Sequence, residues 1–340
     1  MAVTIKDVAK ETNLAISTIS KYMNGGNVRP QNRKVIEEAV RRLGYHPNDI
    51  ARGLRSTKTR NVGILISDFD RYSVEVLSGV EKELRAKGYF AIICSHRDSS
   101  EKAKNALKFL MAKRIDGIIV DGKLTSEEYI RPVLDQRIPV VGMETVKDKL
   151  RMDYVMTDSV AGSYQAVEDL VKNGHTRIGI ITGPKGYFTA EERIRGYRRV
   201  YEDYQIEVDE RYIIGGDYSF QSGYDGMIKL WELENRPTAV FISNYTMCVG
   251  AVSAIHHLKI QIPEELSLTT FDDMEFSVAV KPHLSSFRQP QQDMGAKAAE
   301  LLIRRMNGEY DDFPKRIRLK GTYIPRDSVK RIASDYQLGE

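Results

Sequence analysis

The spacing of apolar residues changes near residue 60. Before that point they recur every three or four positions, which is typical of amphipathic helices. Thr4 provides a good N-cap for a first short helix, a second spans about 16–24, and Pro30 begins a third that Gly44 ends. The third helix has an apolar stripe made of Val35, Ile36, Ala39, Val40 and Leu43. The pattern predicts three short helices around one small core.

After residue 60, short β-rich apolar runs alternate with amphipathic stretches. The predicted strands are 62–66, 90–94, 117–120, 140–143, 178–182, 212–214, 239–242 and 266–271, and the predicted helices include 74–87, 103–113, 160–173 and 222–233. Alternation of this kind is typical of parallel sheets covered by helices on both faces. Because the pattern restarts near Tyr154, we expect an α/β fold with two doubly wound lobes and a cleft between them.

The second helix has two different faces. Ile19, Tyr22 and Met23 fall on one side, whereas the opposite side is small, polar and basic: Ile16, Ser17, Ser20, Lys21 and Asn24. Such a face suits a helix inserted in the major groove of DNA. Ile16 is the aliphatic exception on that face. It either packs with Ile19 and Met23 or contacts a thymine methyl group, and its position on the outward face favours the thymine contact.

Charge divides the chain at the same place as the hydrophobic pattern. Residues 1–60 hold 12 Lys and Arg against 5 Asp and Glu, whereas the rest of the chain carries a net charge of −3. A cationic end on a mildly acidic body indicates a polyanion partner for that end. Cys94 and Cys248 lie in apolar runs, so we expect two buried thiols and neither a disulfide nor a metal site. Without a signal peptide or a membrane-spanning run, a cytoplasmic protein is expected.

A second candidate DNA-binding segment spans 47–55. Asn48 can cap a short helix there, but a helix of this length containing Gly53 is not stable alone in water. We expect it to fold against its twin in a dimer, with Ala51 against a groove wall and Leu54 as a wedge between base pairs. Arg52 and Arg55 would then contact phosphates. The alternative is an ordinary flexible linker.

Candidate ligand-binding residues follow the predicted strands, where open α/β sheets bind ligands. They combine carboxylates, amides, a guanidinium and aromatic rings, which suit a carbohydrate. The set comprises 68–72, Asp121, Glu144, Asp158, 182–189, Arg193, Tyr218, Asn244, Tyr245 and Asp272. Each could instead be a turn or capping residue. For Asp158 and Asp273 in particular, the alternative role is to cap the following helix.

Other classes of protein fit the sequence less well. Adjacent Asp272 and Asp273 point to opposite faces of a strand, and no nucleophile, dinucleotide or phosphate-loop motif has the required spacing. We therefore expect no catalytic residues, no cofactor and no bound metal. A sugar-binding transport protein would share the two-lobed body but would lack residues 1–55.

The N-terminal motifs resemble the lactose-repressor (LacI/GalR) family of bacterial transcription regulators. The resemblance rests on Thr4–Ala9, Ser17–Ser20, Asn24-Gly25, Leu43–Tyr45, Pro47-Asn48 and Ala51–Leu54. It implies that Ile16, Ser17 and Lys21 read bases, that Thr4, Thr18, Asn24 and Asn48 touch the DNA backbone, and that Leu54 intercalates. Two residues depart from the family pattern, and both bear on which operator sequence is recognised. Lys21 stands where Arg is usual, and Arg29 replaces a small capping residue.

The resemblance extends through the body of the chain. It implies effector contacts from Tyr72, Asp121, Glu144, Arg193, Tyr218, Asn244 and Asp272. Tyr245 departs from the family, which usually has Asp at this position. Because a ring replaces a carboxylate that binds hydroxyl groups, we expect a different ligand to bind. Arg193 could pair with an acidic effector, but an internal pair with Asp272 is favoured.

The resemblance also implies the domain plan and the partners. The plan is a helix-turn-helix domain at 1–46, a hinge at 47–60 and an effector and dimerisation domain at 61–340, like periplasmic binding proteins. Lobe 1 takes 61–158 and 289–318, and lobe 2 takes 159–288 and 319–340. We expect a homodimeric repressor of carbohydrate-utilisation genes that binds a pseudo-palindromic double-stranded operator under control of a sugar. A regulator that needs a co-repressor or a partner protein is the alternative.

Overall fold

The computed structural model describes residues 3–23, 25–45, 58–97, 99–122, 127–147 and 149–333. The chain forms two compact units, Met1–Thr59 and Arg60–Glu340. The first unit, hereafter the head, contains the helices α1 (Ile5–Thr12), α2 (Ile16–Met23) and α3 (Pro30–Leu43). The three helices are those that the apolar spacing predicts.

The head is built around five buried residues: Val8, Ile19, Ile36, Ala39 and Tyr45. Thr4 is the N-cap of α1, and the Asp7 carboxylate accepts hydrogen bonds from the Thr4 backbone N–H at 2.8 Å and from the Thr4 hydroxyl at 2.7 Å. Gly44 ends α3 in the left-handed region at φ 61°, where glycine has no steric penalty. The predicted stripe of α3 is wrong at one position, because Val35 is 43% exposed at the edge of this small core.

The second unit contains two six-stranded sheets. The strands are β1 (Asn61–Ile66), β2 (Phe90–Ser95), β3 (Gly117–Asp121), β4 (Val140–Met143), β5 (Asp153–Thr157), β6 (Ile178–Thr182), β7 (Ile213–Gly215), β8 (Ala239–Ile242), β9 (Ser267–Phe271), β10 (Ser285–Arg288), β11 (Arg316–Leu319) and β12 (Thr322–Ile324). The first sheet has the order β11-β5-β4-β3-β1-β2, and the second has the order β12-β10-β9-β8-β6-β7. Neighbouring strands are parallel, except that β12 runs antiparallel to β10.

Helices cover both faces of each sheet. They are α4 (Arg71–Ala86), α5 (Ser100–Ala112), α6 (Glu127–Asp135), α7 (Ser159–Lys172), α8 (Phe188–Asp203), α9 (Phe220–Trp231), α10 (Tyr245–His257), α11 (Glu275–Ala279) and α12 (Gln291–Met306). Helices α4 and α12 pack on one face of the first sheet, and α5 and α6 pack on the other. The second sheet has α9 and α10 on one face and α7 and α8 on the other. We call the first sheet with its covering helices lobe 1 and the second sheet with its covering helices lobe 2.

The chain crosses between the lobes three times. The crossings follow β5, β10 and β11, and they lie at residues 158, 289–290 and 320–321. Because all three lie beside the same ends of the sheets, the two lobes enclose a cleft there.

The two cysteines differ in exposure. Cys248 on α10 is buried, and burial raises the pKa of its thiol to about 12. Cys94 is only half-buried, because β2 is an edge strand of the first sheet. The expectation of two buried thiols is therefore wrong for Cys94. No helix within the described ranges is long and apolar enough to cross a bilayer.

Replacing Gly79 with Ala should destabilise lobe 1. A Cβ at Gly79 of α4 would lie 2.0 Å from the carbonyl oxygen of Gln292, and a Cβ at Gly295 of α12 would lie 2.0 Å from that of Val76. The two backbones therefore touch, and a methyl group must force them apart at a cost of about 3 kcal/mol. Chemical denaturation measures this loss.

Gly215→Ala provides the matched control, because its added Cβ would meet no atom within 4 Å. We expect that variant to change the free energy of unfolding by less than about 0.5 kcal/mol. Equal losses in the two variants would contradict the close packing of α4 and α12.

Candidate DNA-reading helix and effector cleft

Four of the residues that the helical spacing places on the outward face of α2 are described, and all of them are exposed except Ser20, which is half-buried. Ser17 and Lys21 are exposed, Thr18 is half-buried, and Ile19 is buried in the core of the head. Ile16 is 37% exposed and does not belong to that core. An exposed aliphatic side chain on a polar face favours contact with a partner over packing inside the head.

A polar contact fixes α2 against α3. The Tyr22 hydroxyl donates to the Glu37 carboxylate at 2.9 Å, and the Nε of Arg33 donates to the same oxygen at 3.0 Å. The hydroxyl of Thr4 donates to Asp7, at the start of α1. Six predicted DNA contacts lie outside the described residues: Asn24, Asn48, Ala51, Arg52, Leu54 and Arg55. Their roles stay predictions.

The cleft between the lobes encloses about 460 Å³. It lies beyond the carboxyl ends of the strands, which is where parallel sheets bind ligands. Seven of the eight effector residues predicted from sequence line it: Tyr72, Asp121, Glu144, Arg193, Tyr218, Asn244 and Asp272. They come from both lobes, so a ligand held by all of them would bridge the lobes.

Tyr245 is the predicted residue that the structure does not bring into the cleft lining, where Thr246 lies instead. Its backbone N–H donates to Asp272 at 3.0 Å, and its ring packs edge-to-face on Phe276 with the centroids 6.3 Å apart. Asn244 caps α10 by accepting the Met247 N–H at 2.9 Å. This cap fixes the rotation of the helix, so the expectation that the Tyr245 ring replaces a cleft carboxylate is corrected.

Three cleft residues have a left-handed backbone. Glu144, Tyr218 and Asp272 have φ values of 51°, 70° and 77°. Such conformations cost non-glycine residues about 1–3 kcal/mol each and concentrate at functional sites. Here they occur at or near strand ends, where the chain turns and the side chains line the cleft.

Glu144 is a buried carboxylate that is only half satisfied. Its Oε1 accepts the Thr157 N–H at 2.6 Å, whereas its Oε2 is buried without a hydrogen-bond partner. Burial raises the pKa of this carboxyl to about 7, although the Thr157 contact and nearby Arg193 oppose the shift. The free oxygen can therefore take up a proton or accept a hydrogen bond from a ligand.

Arg193 contacts groups other than its predicted partner. Its guanidinium stacks 3.9 Å from the ring centroid of Phe271, and Nη1 donates to the Ser243 carbonyl at 2.5 Å. No carboxylate in the described part of the chain lies within ion-pair distance, so the favoured pair with Asp272 is wrong. Asp272 instead accepts from the Gln289 amide and the Tyr245 N–H. The buried Nε of Arg193 is left without a partner.

The sequence analysis missed several polar residues of the cleft, among them the buried Ser73, Thr145 and Gln289. Thr145 Oγ1 and Gln289 Oε1 line it without hydrogen-bond partners. Gln289 directly follows β10 and precedes Pro290, and this end-of-strand position is the signal that would have indicated it. The chemistry of the cleft therefore depends on more residues than the resemblance implies.

The two aspartates that were open to a capping role behave differently. Asp158 caps α7 by accepting the Ala161 N–H at 3.2 Å, so the capping interpretation is confirmed for it. Asp273 instead accepts from Ser286 at 2.6 Å and pairs with Arg326 at 2.7 Å and with Arg288. Neither residue lines the cleft.

We predict that Glu144 makes the stability of the ligand-free protein fall as pH rises from about 4.5 to about 7. In this window the folded state keeps a proton that the unfolded chain has lost, so deprotonation costs stability. The total cost is about 3 kcal/mol. Glu144→Gln removes the titrating group and should flatten this part of the profile.

Denaturation from pH 4 to pH 8 measures both proteins, with Glu101→Gln at the start of α5 as an exposed control. The control should follow the parent protein. A Glu144→Gln profile that follows the parent as well would show that Glu144 does not titrate in this range.

Comparisons with known proteins agree on both parts of the chain. Residues 4–48 match the family described as bacterial regulatory proteins, lacI family, and residues 167–329 match the periplasmic binding protein-like domain. Catabolite control protein A of Priestia megaterium is 33% identical over 320 residues, which cover 92% of this chain and 95% of that protein.

Two further comparisons extend over nearly the whole chain. The HTH-type transcriptional repressor PurR of Aliivibrio fischeri is 32% identical over 332 residues, 96% of this chain and 98% of that protein. The solved structure of the transcriptional regulator CelR–cellobiose complex is 25% identical with a TM-score of 0.74, and covers 96% of this chain and 99% of that one. The chain therefore belongs to the lacI family of bacterial regulatory proteins, as a transcriptional regulator with a DNA-binding head and an effector-binding domain.

Proposed function

We propose that this regulator represses carbohydrate-utilisation genes and that a sugar bound in the cleft controls its affinity for the operator. The observation that carries the proposal is the set of unpartnered polar atoms in the cleft. Glu144 and Gln289 each offer an acceptor, Arg193 offers a donor through Nε, and the Thr145 hydroxyl can do both.

Buried polar atoms are almost always hydrogen-bonded, so these atoms indicate a ligand. The ligand must donate and accept at several neighbouring points, as sugar hydroxyl groups do. Aromatic rings in the lining can pack against the apolar face of a sugar ring: Tyr72, Tyr187, Phe188 and Tyr218. The similarity to a regulator solved with cellobiose supports the same ligand class.

The head supplies the DNA contacts in this proposal. Ile16, Ser17 and Lys21 read bases in the major groove, and Thr4, Thr18, Asn24 and Asn48 contact the backbone. Ala51 lies against the wall of the minor groove at the centre of the site, Leu54 inserts between base pairs there, and Arg52 and Arg55 contact phosphates. A pseudo-palindromic operator requires two heads, so the protein acts as a homodimer. Its role is binding without catalysis.

A thermal-shift screen over sugars and sugar phosphates tests the proposal. A sugar that binds the folded state raises the melting temperature in proportion to RT ln(1 + [L]/Kd). We expect at least one sugar to do so, and expect Arg193→Ala to abolish the shift. If no carbohydrate stabilises the protein at millimolar concentration, the effector is not a sugar.

The direction of control is a separate outcome. A sugar that weakens operator binding acts as an inducer, as proposed, whereas one that strengthens it acts as a co-repressor. Operator titrations with and without the sugar distinguish the two.

A further inference from the structure

The cleft contains many more carboxylates than cations. Its lining holds the cationic side chains of Lys147 and Arg193 and six carboxylates: Asp68, Asp70, Asp121, Glu144, Asp217 and Asp272. The first four carboxylates belong to lobe 1 and the last two to lobe 2. A bound ligand therefore meets carboxylates on both sides.

These carboxylates are not neutralised by the protein's own cations. Among the described residues only Asp68 has an ion-pair partner, Arg97 at 3.7 Å, and both side chains are exposed. The others are held by uncharged donors. Asp70 accepts the Ser73 N–H at 2.7 Å, and Asp121 accepts the Ser67 hydroxyl at 2.8 Å.

Asp217 and Asp272 are held in the same way in lobe 2. Asp217 accepts the Ser219 N–H at 2.9 Å, and hydrogen bonds from Ser219 and Ser222 lower the pKa of its carboxyl to about 2. Asp272 accepts from a backbone N–H and a side-chain amide. Such donors orient a carboxylate without removing its charge.

The two cations of the cleft do not form an anion site. Arg193 is buried against Phe271, and its Nη1 already donates to the Ser243 carbonyl, so part of its donor set serves the protein itself. Lys147 lies exposed in the loop after β4. A phosphate needs several converging donors, and the cleft faces it mainly with acceptors.

We propose that the cleft selects its effector by charge: the effector carries no anionic group, and amine-bearing sugars bind more tightly than neutral ones, which bind more tightly than acidic ones. This inference rests on the proposed sugar-binding function and names the class of sugar. Charges within a partly enclosed site interact more strongly than in bulk water, so the order should be visible in measured affinities. The raised pKa values of Asp70 and Glu144, caused by burial and increased by neighbouring carboxylates, agree with an excess of negative charge.

Two matched series of ligands test the order on the full-length protein by isothermal titration calorimetry at pH 7.5. One series is glucosamine, glucose and glucose 6-phosphate, and the other is the chitosan disaccharide, cellobiose and cellobionate. In any series that binds, we expect the amine to bind at least about 10-fold more tightly than the anion. The ratio should fall as salt is added.

A double variant with one substitution in each lobe checks that the carboxylates of the cleft cause this order of affinities. Asp68→Asn with Asp217→Asn should reduce the amine-to-anion ratio several-fold, while Glu101→Gln with Glu264→Gln, which changes net charge equally outside the cleft, should not. An anion that binds as tightly as its neutral analogue, or an unchanged ratio in the cleft variant, overturns the inference. Binding by no member of either series, together with no response to any sugar in the thermal-shift screen, overturns instead the sugar proposal on which the inference rests.

Discussion

A chain that begins at Arg60 is expected to lose operator affinity by at least about 1,000-fold, the usual margin between specific and nonspecific binding. The structure divides at Thr59, so this truncation removes one compact unit and leaves the other whole. The removed segment carries 11 of the 12 cations of residues 1–60, and the remaining chain is close to neutral. Phosphate contacts that depend on those cations should disappear with it.

Fluorescence anisotropy with a labelled promoter fragment measures this loss over a range of salt concentrations. The full-length protein should show a steep decrease of log K with log salt, and the truncated chain should show none. Its thermal-shift response to sugars should survive as the control for folding. Salt-dependent DNA binding by the truncated chain would contradict the division of labour between the two units.

Asp153→Ala is expected to lower the free energy of unfolding by about 3 to 5 kcal/mol. Arg305 Nε donates to Asp153 at 2.7 Å, and the two side chains are 1% and 0% exposed. Asp153 also accepts the Lys315 N–H at 2.6 Å, so one carboxylate joins β5, α12 and the start of β11. Its removal leaves a buried guanidinium with Asp312 as its remaining carboxylate partner, at 2.8 Å.

The exposed pair between Arg198 and Glu210 provides the comparison. Glu210→Ala should cost less than about 1 kcal/mol, because solvent screens an exposed pair. Guanidinium denaturation of both variants measures the difference. Similar losses at the two positions would show that burial does not govern the Asp153 contact.

The sequence predicts most of the fold because the central strands are apolar throughout. β4, β6 and β8 have the predicted bounds, since strands buried on both faces leave continuous runs such as Ile178–Thr182. The pattern did not predict β10, β11 or β12 as strands. Ser285–Arg288 contains buried serines, and Arg316–Leu319 alternates charged and apolar residues at a sheet edge.

The site was predictable where it depends on position along a strand. Asp121, Glu144 and Asp272 line the cleft because they end or follow parallel strands. The rotation of α10, which turns Tyr245 toward Phe276, depends on packing that the sequence does not show. The same holds for Arg193, whose contacts with Phe271 and Ser243 replace the expected ion pair.

The central claim is that occupancy of the cleft sets the affinity for the operator. The most direct test is an anisotropy titration of the full-length protein on its operator, with and without a saturating sugar identified by thermal shift. We predict that the sugar weakens operator binding by about 5- to 150-fold, the usual range of allosteric coupling. Unchanged operator affinity, with the cleft shown to be occupied, would contradict the account.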